Sequence, residues 1–383
     1  PGAFFVSHPI LSADGHIDFP LLPETLWSDN APAALRDRMP RVVETSRGRA
    51  WKSAQGESLG LVGGMGSAGR PYVPGEIHRS DRMAEQGLYE DQQRGIMRPA
   101  VPELRVQDQE LDGVSGEVVY GILGASSRLG DPEVAAVVCH IYNEWLAEFC
   151  AKAPGRFAGI GCLSSTNPEE AAREVERCAK LGLKGAELGL SHDMLPLWHD
   201  DWEPVYRACA ETGVPLHIHT IGPATEIRWI QDPATYRRWL ATHISAFQVP
   251  MLAVVASLLF GGAPERHPEL RVVIGESGIG WLPYALERMD FEWQDQFQDL
   301  LPRPPSEYWR RQFFATFQVD RVGLENLAAI GENTVMWGSD FPHPDGTWPD
   351  SQAILEPQLA GLSDETRRKI LCDNAAGLYG FEV

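Results

Sequence analysis

The chain has 383 residues, 43% of them hydrophobic and 22% charged, which is typical of a globular protein with a large core. Its 33 basic and 53 acidic residues give a net charge of −20, so we expect no binding to nucleic acid or to an anionic membrane surface. No run of about 18 apolar residues predicts a membrane span, and we expect no signal peptide. The six cysteines lack CxxC spacing, which indicates reduced thiols and a cytoplasmic location.

Short apolar runs alternate with longer stretches of helical periodicity, and this order is typical of βα units around a parallel sheet. We therefore predict one α/β domain, residues 1–383, with the (β/α)8 fold of a TIM barrel. Eight strands are predicted at residues 10–16, 116–120, 157–163, 185–188, 216–219, 271–275, 313–317 and 335–339. Helices are predicted between them at residues 132–151, 168–181, 202–212, 243–260, 282–296 and 321–330.

The stretch between the first two predicted strands, residues 21–111, is much longer than an ordinary connection. It contains Trp27, Trp51 and five glycines between residues 60 and 69. Since the loops that follow barrel strands surround the active site, we expect this insertion to form a lid over the substrate. The alternative is an insertion that only caps the barrel or makes a subunit contact.

The end of the first predicted strand carries Asp14, His16 and Asp18, whose side chains point to one side of an extended chain. Two carboxylates beside one imidazole form a set of ligands for a divalent cation. On its own, this DxHxD pattern also fits an exposed turn.

The fifth predicted strand, VPLHIHT, places His217 and His219 on one face of a short apolar run. A buried imidazole needs a polar partner, which is either a metal ion or a hydrogen-bonding group in the core. His219 lies nearer the carboxyl end of the strand and is the better candidate ligand. His217, one layer deeper, fits a core or supporting role.

The eighth predicted strand runs directly into Asp340 in the sequence VMWGSDFPHP. A carboxylate at this position can bind a metal ion or act as a general base, although it can also cap the next helix or turn. The carboxyl ends of strands one, five and eight meet at one mouth of a barrel. Together they predict a metal site formed by Asp14, His16, His219 and Asp340.

From Ile10 to the end, the chain resembles the amidohydrolase-related proteins, in the branch of aminocarboxymuconate-semialdehyde decarboxylase and the resorcylate decarboxylases. The resemblance is carried by the two metal motifs and by the stretches YNEWL (142–146), GLKG (182–185), ESGIGWLP (276–283), WGSDFPHP (337–344) and CDNA (372–375). It implies that Asp14 and His16 are the metal pair of strand one, an alignment that Pro20 supports. It also maps the strand-five histidine onto His219 and the strand-eight aspartate onto Asp340.

The chain departs from this family at the end of strand six, where the usual histidine is replaced by Glu276. Asp18 adds a further carboxylate, and Glu187 near the end of strand four can join them. We expect Glu276 and Asp18 to bind a second ion or to orient a ligand. Carboxylate ligands shift the expected metal from zinc towards manganese or iron, with one or two ions per chain.

Several reactions fit such a site, and the preferred interpretation is a metal-dependent hydrolase of an amide, ester or thioester in a small molecule, with Asp340 and Glu276 catalytic. The alternatives are non-oxidative decarboxylation of a small aromatic or unsaturated acid, oxidative iron or manganese chemistry, or a metal-binding partner subunit. We expect a homodimer, or a hetero-oligomer with a homologous subunit. The candidate substrate-binding residues are four histidines, His343, His243, His217 and His78.

Overall fold

A computed structural model describes residues 8–66, 69–122, 128–191, 194–220 and 232–383. Within them, eight parallel strands follow one another in chain order around a barrel, which confirms the predicted fold. The strands are β1 (Leu11–Ser12), β5 (Gly116–Val119), β6 (Phe157–Leu163), β7 (Gly185–Leu188), β8 (Leu216–His219), β9 (Val272–Gly275), β10 (Phe313–Phe317) and β11 (Val335–Trp337).

Hydrogen bonds between the first and last strands complete the barrel. The amide of Ala13 donates to the Trp337 carbonyl over 2.8 Å, and the amide of Asp340 donates to the Asp14 carbonyl, also over 2.8 Å. The amide of His16 continues the series by donating to the Phe341 carbonyl over 2.7 Å. The closing seam of the barrel therefore places the ends of strands one and eight side by side.

Helices alternate with the strands, and five of the helices named below follow a residue whose side chain accepts a hydrogen bond from the first turn. Asn167, for example, accepts a hydrogen bond from the Glu170 amide at the start of its helix, and Pro168 occupies the first helical position. The helices of the barrel are Pro132–Ala151, Pro168–Leu181, Glu203–Thr212, Pro233–Ala246, Pro250–Phe260, Ala263–Arg266, Leu282–Glu292, Pro305–Gln312, Arg321–Glu325, Leu327–Ile330, Ser351–Leu359, Asp364–Arg368 and Asn374–Tyr379.

The prediction of one helix over residues 243–260 is wrong. Two helices, Pro233–Ala246 and Pro250–Phe260, cover this region, because Pro250 begins a new helix where its missing amide hydrogen costs nothing. The helical stretch Ala234–Phe260 is the one part of the described chain long and apolar enough to cross a membrane, by length and composition alone. Its second half packs into the barrel core through Met251, Val255 and Leu258.

Between β1 and β5 lies a small antiparallel sheet followed by helices. The sheet comprises β2 (Arg41–Thr45), β3 (Gly48–Lys52) and β4 (Ser58–Leu61). Trp51 from β3 is fully buried in the same apolar cluster as Phe19 and Trp27. The α-helices of this region are Leu26–Asn30, His78–Glu85, Leu88–Gln93 and Pro102–Asp112.

The loop after β11, residues 338–350, is held by contacts with this inserted region. Arg82 donates two hydrogen bonds to the Asp350 carboxylate, over 3.0 and 2.7 Å, and Arg79 donates to the Thr347 carbonyl over 3.0 Å. The indole of Trp348 donates to the Asp108 carbonyl over 2.9 Å. Since Asp340 lies in this loop, the insertion helps to fix its position.

A fully buried ion pair lies beneath the seam between strands one and eight. Arg105 donates two hydrogen bonds, over 2.8 and 2.7 Å, to the Glu117 carboxylate. The same guanidinium donates to the carbonyls of His16, over 2.8 Å, and Phe341, over 3.3 Å. A Cβ at Gly15 would lie only 1.9 Å from a Glu117 oxygen, so this close approach requires glycine.

We expect the Arg105→Met variant to lose about 3 to 5 kcal/mol of unfolding free energy, because it leaves the Glu117 carboxylate buried without its cation. Urea unfolding followed by circular dichroism measures this loss. Arg321→Met is the control, since Arg321 is 78% exposed, and its unfolding midpoint should not change. Equal midpoints for the two variants would contradict the role given to Arg105.

Asp112 makes stability depend on pH. Burial raises the pKa of Asp112 to about 7, against the opposing effect of hydrogen bonds from Ser351. The folded protein therefore holds a proton that the unfolded chain releases between about pH 4 and 7, so this contribution to stability falls as pH rises through that range. The unfolding free energy of Asp112→Asn, measured with urea at pH 5 and at pH 8, should rise relative to that of the wild type as the pH increases. Asp364→Asn, at a fully exposed carboxylate, should show no such gain.

Candidate metal centre

Four side chains converge where strands β1, β8 and β11 end. Nε2 of His16 lies 3.2 Å from Oδ1 of Asp14 and 3.0 Å from Oδ1 of Asp340. Nε2 of His219 lies 3.4 Å from the same Asp14 oxygen. All four residues are at most 1% exposed. The structure thus brings together the four residues predicted as ligands.

Asp14 is held so that only one of its oxygens faces the other three side chains. Its Oδ2 accepts hydrogen bonds from the Thr316 hydroxyl, over 3.0 Å, and from the Glu276 amide, over 3.1 Å. Burial opposes ionisation of Asp14, but the imidazoles of His219 and His16 hold its pKa well below the ordinary value. Oδ1 is therefore an ionised oxygen fixed towards the centre of the cluster.

His219 is fixed in one tautomer. Its Nδ1 lies 2.8 Å from the Thr220 carbonyl, which can only accept, so Nδ1 carries the hydrogen and Nε2 presents a lone pair to the cluster. A second-layer hydrogen bond of this kind is typical of histidines that bind metal ions.

The polar atoms of this cluster fit a divalent cation. Three buried atoms have no hydrogen-bond partner among the described residues: Nε2 of His16 and both carboxylate oxygens of Asp340. Nε2 of His16 nevertheless lies only 3.0 Å from Oδ1 of Asp340. Burial and His343 oppose protonation of His16, but the carboxylates of Asp14 and Asp340 raise its pKa to about 9. A metal ion supplies the positive charge that a proton otherwise provides.

Asp18 and His343 lie beside this cluster. Nε2 of His343 forms a 2.6 Å hydrogen bond with Oδ2 of Asp18, and its Nδ1 lies 3.1 Å from Oδ1 of Asp340. The imidazole of His343 also stacks on that of His16, with ring centroids 4.0 Å apart and an angle of 11° between the planes. His343 therefore contacts two of the four predicted ligands.

Glu276 follows β9 and faces the same cluster. Its Oε2 lies 3.7 Å from Nε2 of His219, and within the described residues its carboxyl group accepts no hydrogen bond. Burial, and next the charge of Asp340, raise the pKa of Glu276 well above its ordinary value. Glu276 and Asp340 have positive φ angles of 50° and 59°, a strained conformation that clusters at functional sites.

Two residues that contact the cluster from within the barrel, Thr316 and Tyr120, were not predicted from the sequence as part of the site. Thr316 bonds to both Asp14 and the Glu276 amide, and its only signal was a polar residue near the end of an otherwise apolar strand. Tyr120 stacks on His16, and its hydroxyl lies 2.7 Å from Nδ1 of His217. His217 is fully buried, and burial lowers its pKa to about 3, so it is a neutral core residue.

The structure separates the other two candidate histidines from the cluster. His78 begins the helix His78–Glu85 of the insertion, and His243 stacks on Trp239 with ring centroids 5.2 Å apart. Within the described residues, no hydrogen bond, ion pair or ring contact joins either histidine to the four predicted ligands. Their contact with substrate stays a prediction.

The chain belongs to the amidohydrolase family, whose model matches residues 92–381. Gamma-resorcylate decarboxylase of Polaromonas sp. is 26% identical over 299 residues, which cover 73% of this chain and 87% of that protein. The 2-amino-3-carboxymuconate-6-semialdehyde decarboxylase of Dictyostelium discoideum is 25% identical over 286 residues, covering 73% and 77% of the two chains. Both relatives lie in the branch that the sequence motifs indicated.

A solved structure of 5-carboxyvanillate decarboxylase from Novosphingobium aromaticivorans is similar to this chain. It matches with a TM-score of 0.60 and 25% identity, over 72% of this chain and 79% of that one. That protein was crystallised with manganese and 4-hydroxy-3-methoxy-5-nitrobenzoic acid.

The preferred interpretation of the chain as a hydrolase is wrong. The named relatives across most of its length are decarboxylases, so the comparisons favour a lyase and agree with the alternative derived from the motifs. The error came from the carboxylates Glu276 and Asp18, which we interpreted as possible ligands of a second ion and as support for hydrolysis.

We expect the Asp14→Asn and His219→Asn variants to bind Mn²⁺ more weakly than the wild type. The loss should exceed the roughly 10- to 100-fold that is typical when a residue that only orients a ligand is replaced. In the wild type, Mn²⁺ must displace the proton of His16, so the affinity should rise about tenfold per pH unit up to about pH 9. Calorimetric titration in buffers of different ionisation enthalpy measures both the affinity and the released proton. An affinity independent of pH between 6 and 8 would contradict this assignment.

Proposed function

We propose that the protein is a metal-dependent non-oxidative decarboxylase of a small aromatic or unsaturated carboxylic acid. The observation that carries this proposal is the convergence of Asp14, His16, His219 and Asp340 into one buried ligand set. The chain belongs to a family in which its named relatives perform this class of reaction.

We propose manganese as the resident ion, because two of the four ligands are carboxylates and the similar 5-carboxyvanillate decarboxylase was crystallised with manganese. When bound, the cation would hold the substrate carboxylate and a neighbouring oxygen and withdraw electron density from them. Asp14, His16, His219 and Asp340 are the proposed ligands.

Glu276 is the proposed proton donor. Its carboxyl group lies at the edge of the ligand set, is 6% exposed and has no hydrogen-bond partner among the described residues, so it is free to approach a substrate. Burial, and next the charge of Asp340, raise the pKa of Glu276, which favours the protonated form that a proton donor needs. Asp340, whose pKa the imidazoles of His343 and His16 lower against the effect of burial, is the ionised carboxylate beside it in the proposed ligand set.

The reaction balances without an oxidant. A C–H bond forms at the ring or chain carbon with the proton from Glu276, and the bond from that carbon to the carboxylate breaks. Its electron pair remains on the carbon skeleton, and carbon dioxide leaves. Glu276, which is 6% exposed, then regains a proton from solvent.

The inserted region, residues 21–111, is the proposed wall of the substrate site. Met65 packs with Phe341 and Trp348 of the loop after β11, and a Cβ built on Gly66 would lie 3.8 Å from Pro344. These contacts bring the insertion against the loop that carries Asp340.

We further propose that the protein is cytoplasmic, since all six cysteines are free thiols. We also propose that it forms a homodimer, since the large side chains of Val249, Tyr284 and Phe291 are more than 60% exposed.

Manganese-loaded protein should release carbon dioxide from at least one member of a panel of gamma-resorcylate, 5-carboxyvanillate and related hydroxybenzoates. In D₂O the product should carry one deuterium at the carbon that lost the carboxylate. Glu276→Gln should lower kcat by about 10²- to 10⁴-fold, the usual contribution of a general acid, and should keep bound manganese.

Glu332→Gln provides the matched control, because Glu332 pairs with Lys369 in another part of the barrel. Its kcat should equal that of the wild type. Turnover of ester or amide analogues without carbon dioxide release from any acid would contradict the decarboxylase proposal, and a fully active Glu276→Gln variant would contradict the role of Glu276.

A further inference from the structure

Asp18 and His343 form a connected pair of groups at the edge of the ligand set. The hydrogen bond of 2.6 Å between Oδ2 of Asp18 and Nε2 of His343 is among the shorter side-chain contacts of the site. Asp18 is 3% exposed and His343 is 5% exposed, so little water competes for this bond. Asp18 thereby fixes the orientation of the imidazole.

The other edge of the imidazole faces the ligands. Nδ1 of His343 lies 3.1 Å from Oδ1 of Asp340, the same oxygen that lies 3.0 Å from Nε2 of His16. One ligand-type atom on each of His16, Glu276, Asp340 and His343 falls within 4.8 Å of the others. His343 thus borders the proposed ligand set at His16 and Asp340.

The backbone cannot hold the Asp340 side chain by itself. Asp340 follows the last strand at a positive φ of 59°, and both of its carboxylate oxygens have no hydrogen-bond partner among the described residues. By contrast, Asp14 is fixed by Thr316 and by the Glu276 amide, and His219 is fixed by the Thr220 carbonyl. Asp340 is therefore the proposed ligand without such a hydrogen bond, and its Oδ1 instead lies near Nε2 of His16 and Nδ1 of His343.

We propose that Asp18, acting through His343, positions the Asp340 carboxylate and the His16 ring for metal binding. This inference rests on the proposed function only in assigning Asp340 and His16 as ligands. Among the described residues Asp18 contacts neither of them, and its hydrogen bond is to the imidazole of His343, so we expect its effect on their orientation to pass through that imidazole. Both are positioning residues, of the kind whose loss usually weakens metal affinity by about 10- to 100-fold.

The test is a double-mutant cycle on Mn²⁺ affinity, measured by calorimetry and by the electron paramagnetic resonance signal of free Mn²⁺. Asp18→Asn and His343→Asn should each weaken binding by about 10- to 100-fold. Because the two residues act in series, the double variant should bind no more weakly than His343→Asn alone. His343→Gln, whose amide nitrogen can replace Nε2 but not Nδ1, should resemble His343→Asn.

The matched control uses the hydrogen bond between His267 and Glu203, which has the same 2.6 Å length and involves the same two kinds of group elsewhere in the barrel. His267→Asn should bind Mn²⁺ like the wild type. Urea unfolding of each variant separates a loss of metal affinity from a loss of fold, and Asp18→Asn still tests the proposal if His343→Asn does not fold.

Wild-type Mn²⁺ affinity in Asp18→Asn would overturn the inference, and so would losses that add independently in the double variant. Neither result depends on turnover, so a failure of every substrate in the panel leaves this test intact. Conversely, Mn²⁺ binding could be weakened in Asp14→Asn but unchanged in the Asp18 and His343 variants. That result would support the metal site and exclude Asp18 and His343 as positioning residues.

Discussion

The buried pair of Arg105 and Glu117 is the interaction on which the rest of the site depends. A guanidinium this deep is tolerated only because every direction it faces offers an acceptor, and two of those acceptors are the carbonyls of His16 and Phe341. These carbonyls belong to a proposed metal ligand, His16, and to the residue that follows another, Asp340. The guanidinium of Arg105, which belongs to the insertion, thus holds the backbone of strand one and the backbone of the loop after strand eight next to each other.

Above that pair, the site combines ligands held rigidly with one that is held less directly. Asp14 and His219 gain their orientation from groups in the barrel wall, whereas Asp340 leaves the last strand in a strained conformation and relies on His343. Strain of about 1 to 3 kcal/mol at such a residue persists only when its surroundings over-determine it. The hydrogen bonds of the loop after strand eight provide that support.

Much of the fold followed from local patterns, and the strands at 157–163, 185–188, 216–219 and 313–317 have the bounds that periodicity predicted. The convergence of Asp14, His16, His219 and Asp340 was also predictable, because polar residues at strand ends of a barrel must meet at one mouth, while their role as ligands stays a prediction. Pro250 was an unused signal for the break in the helix near residue 250. Arg105, Thr316 and the pairing of His343 with Asp18 were not accessible, since they depend on contacts between elements more than 85 residues apart or on the path of a loop.

The contacts between the insertion and the loop after strand eight have a consequence for how this protein could be altered. Arg79, Arg82 and Arg105 all lie in the region that would be exchanged to give the barrel a new cover, yet each bonds to the backbone or side chains around Asp340. The proposed wall of the substrate site and the contacts that hold the loop of Asp340 therefore share one segment of the chain. If this segment is replaced by that of another barrel, the new segment must contain arginines that make the same contacts with the loop of Asp340. Without them, we expect the chimera to lose metal affinity as well as its original substrate preference.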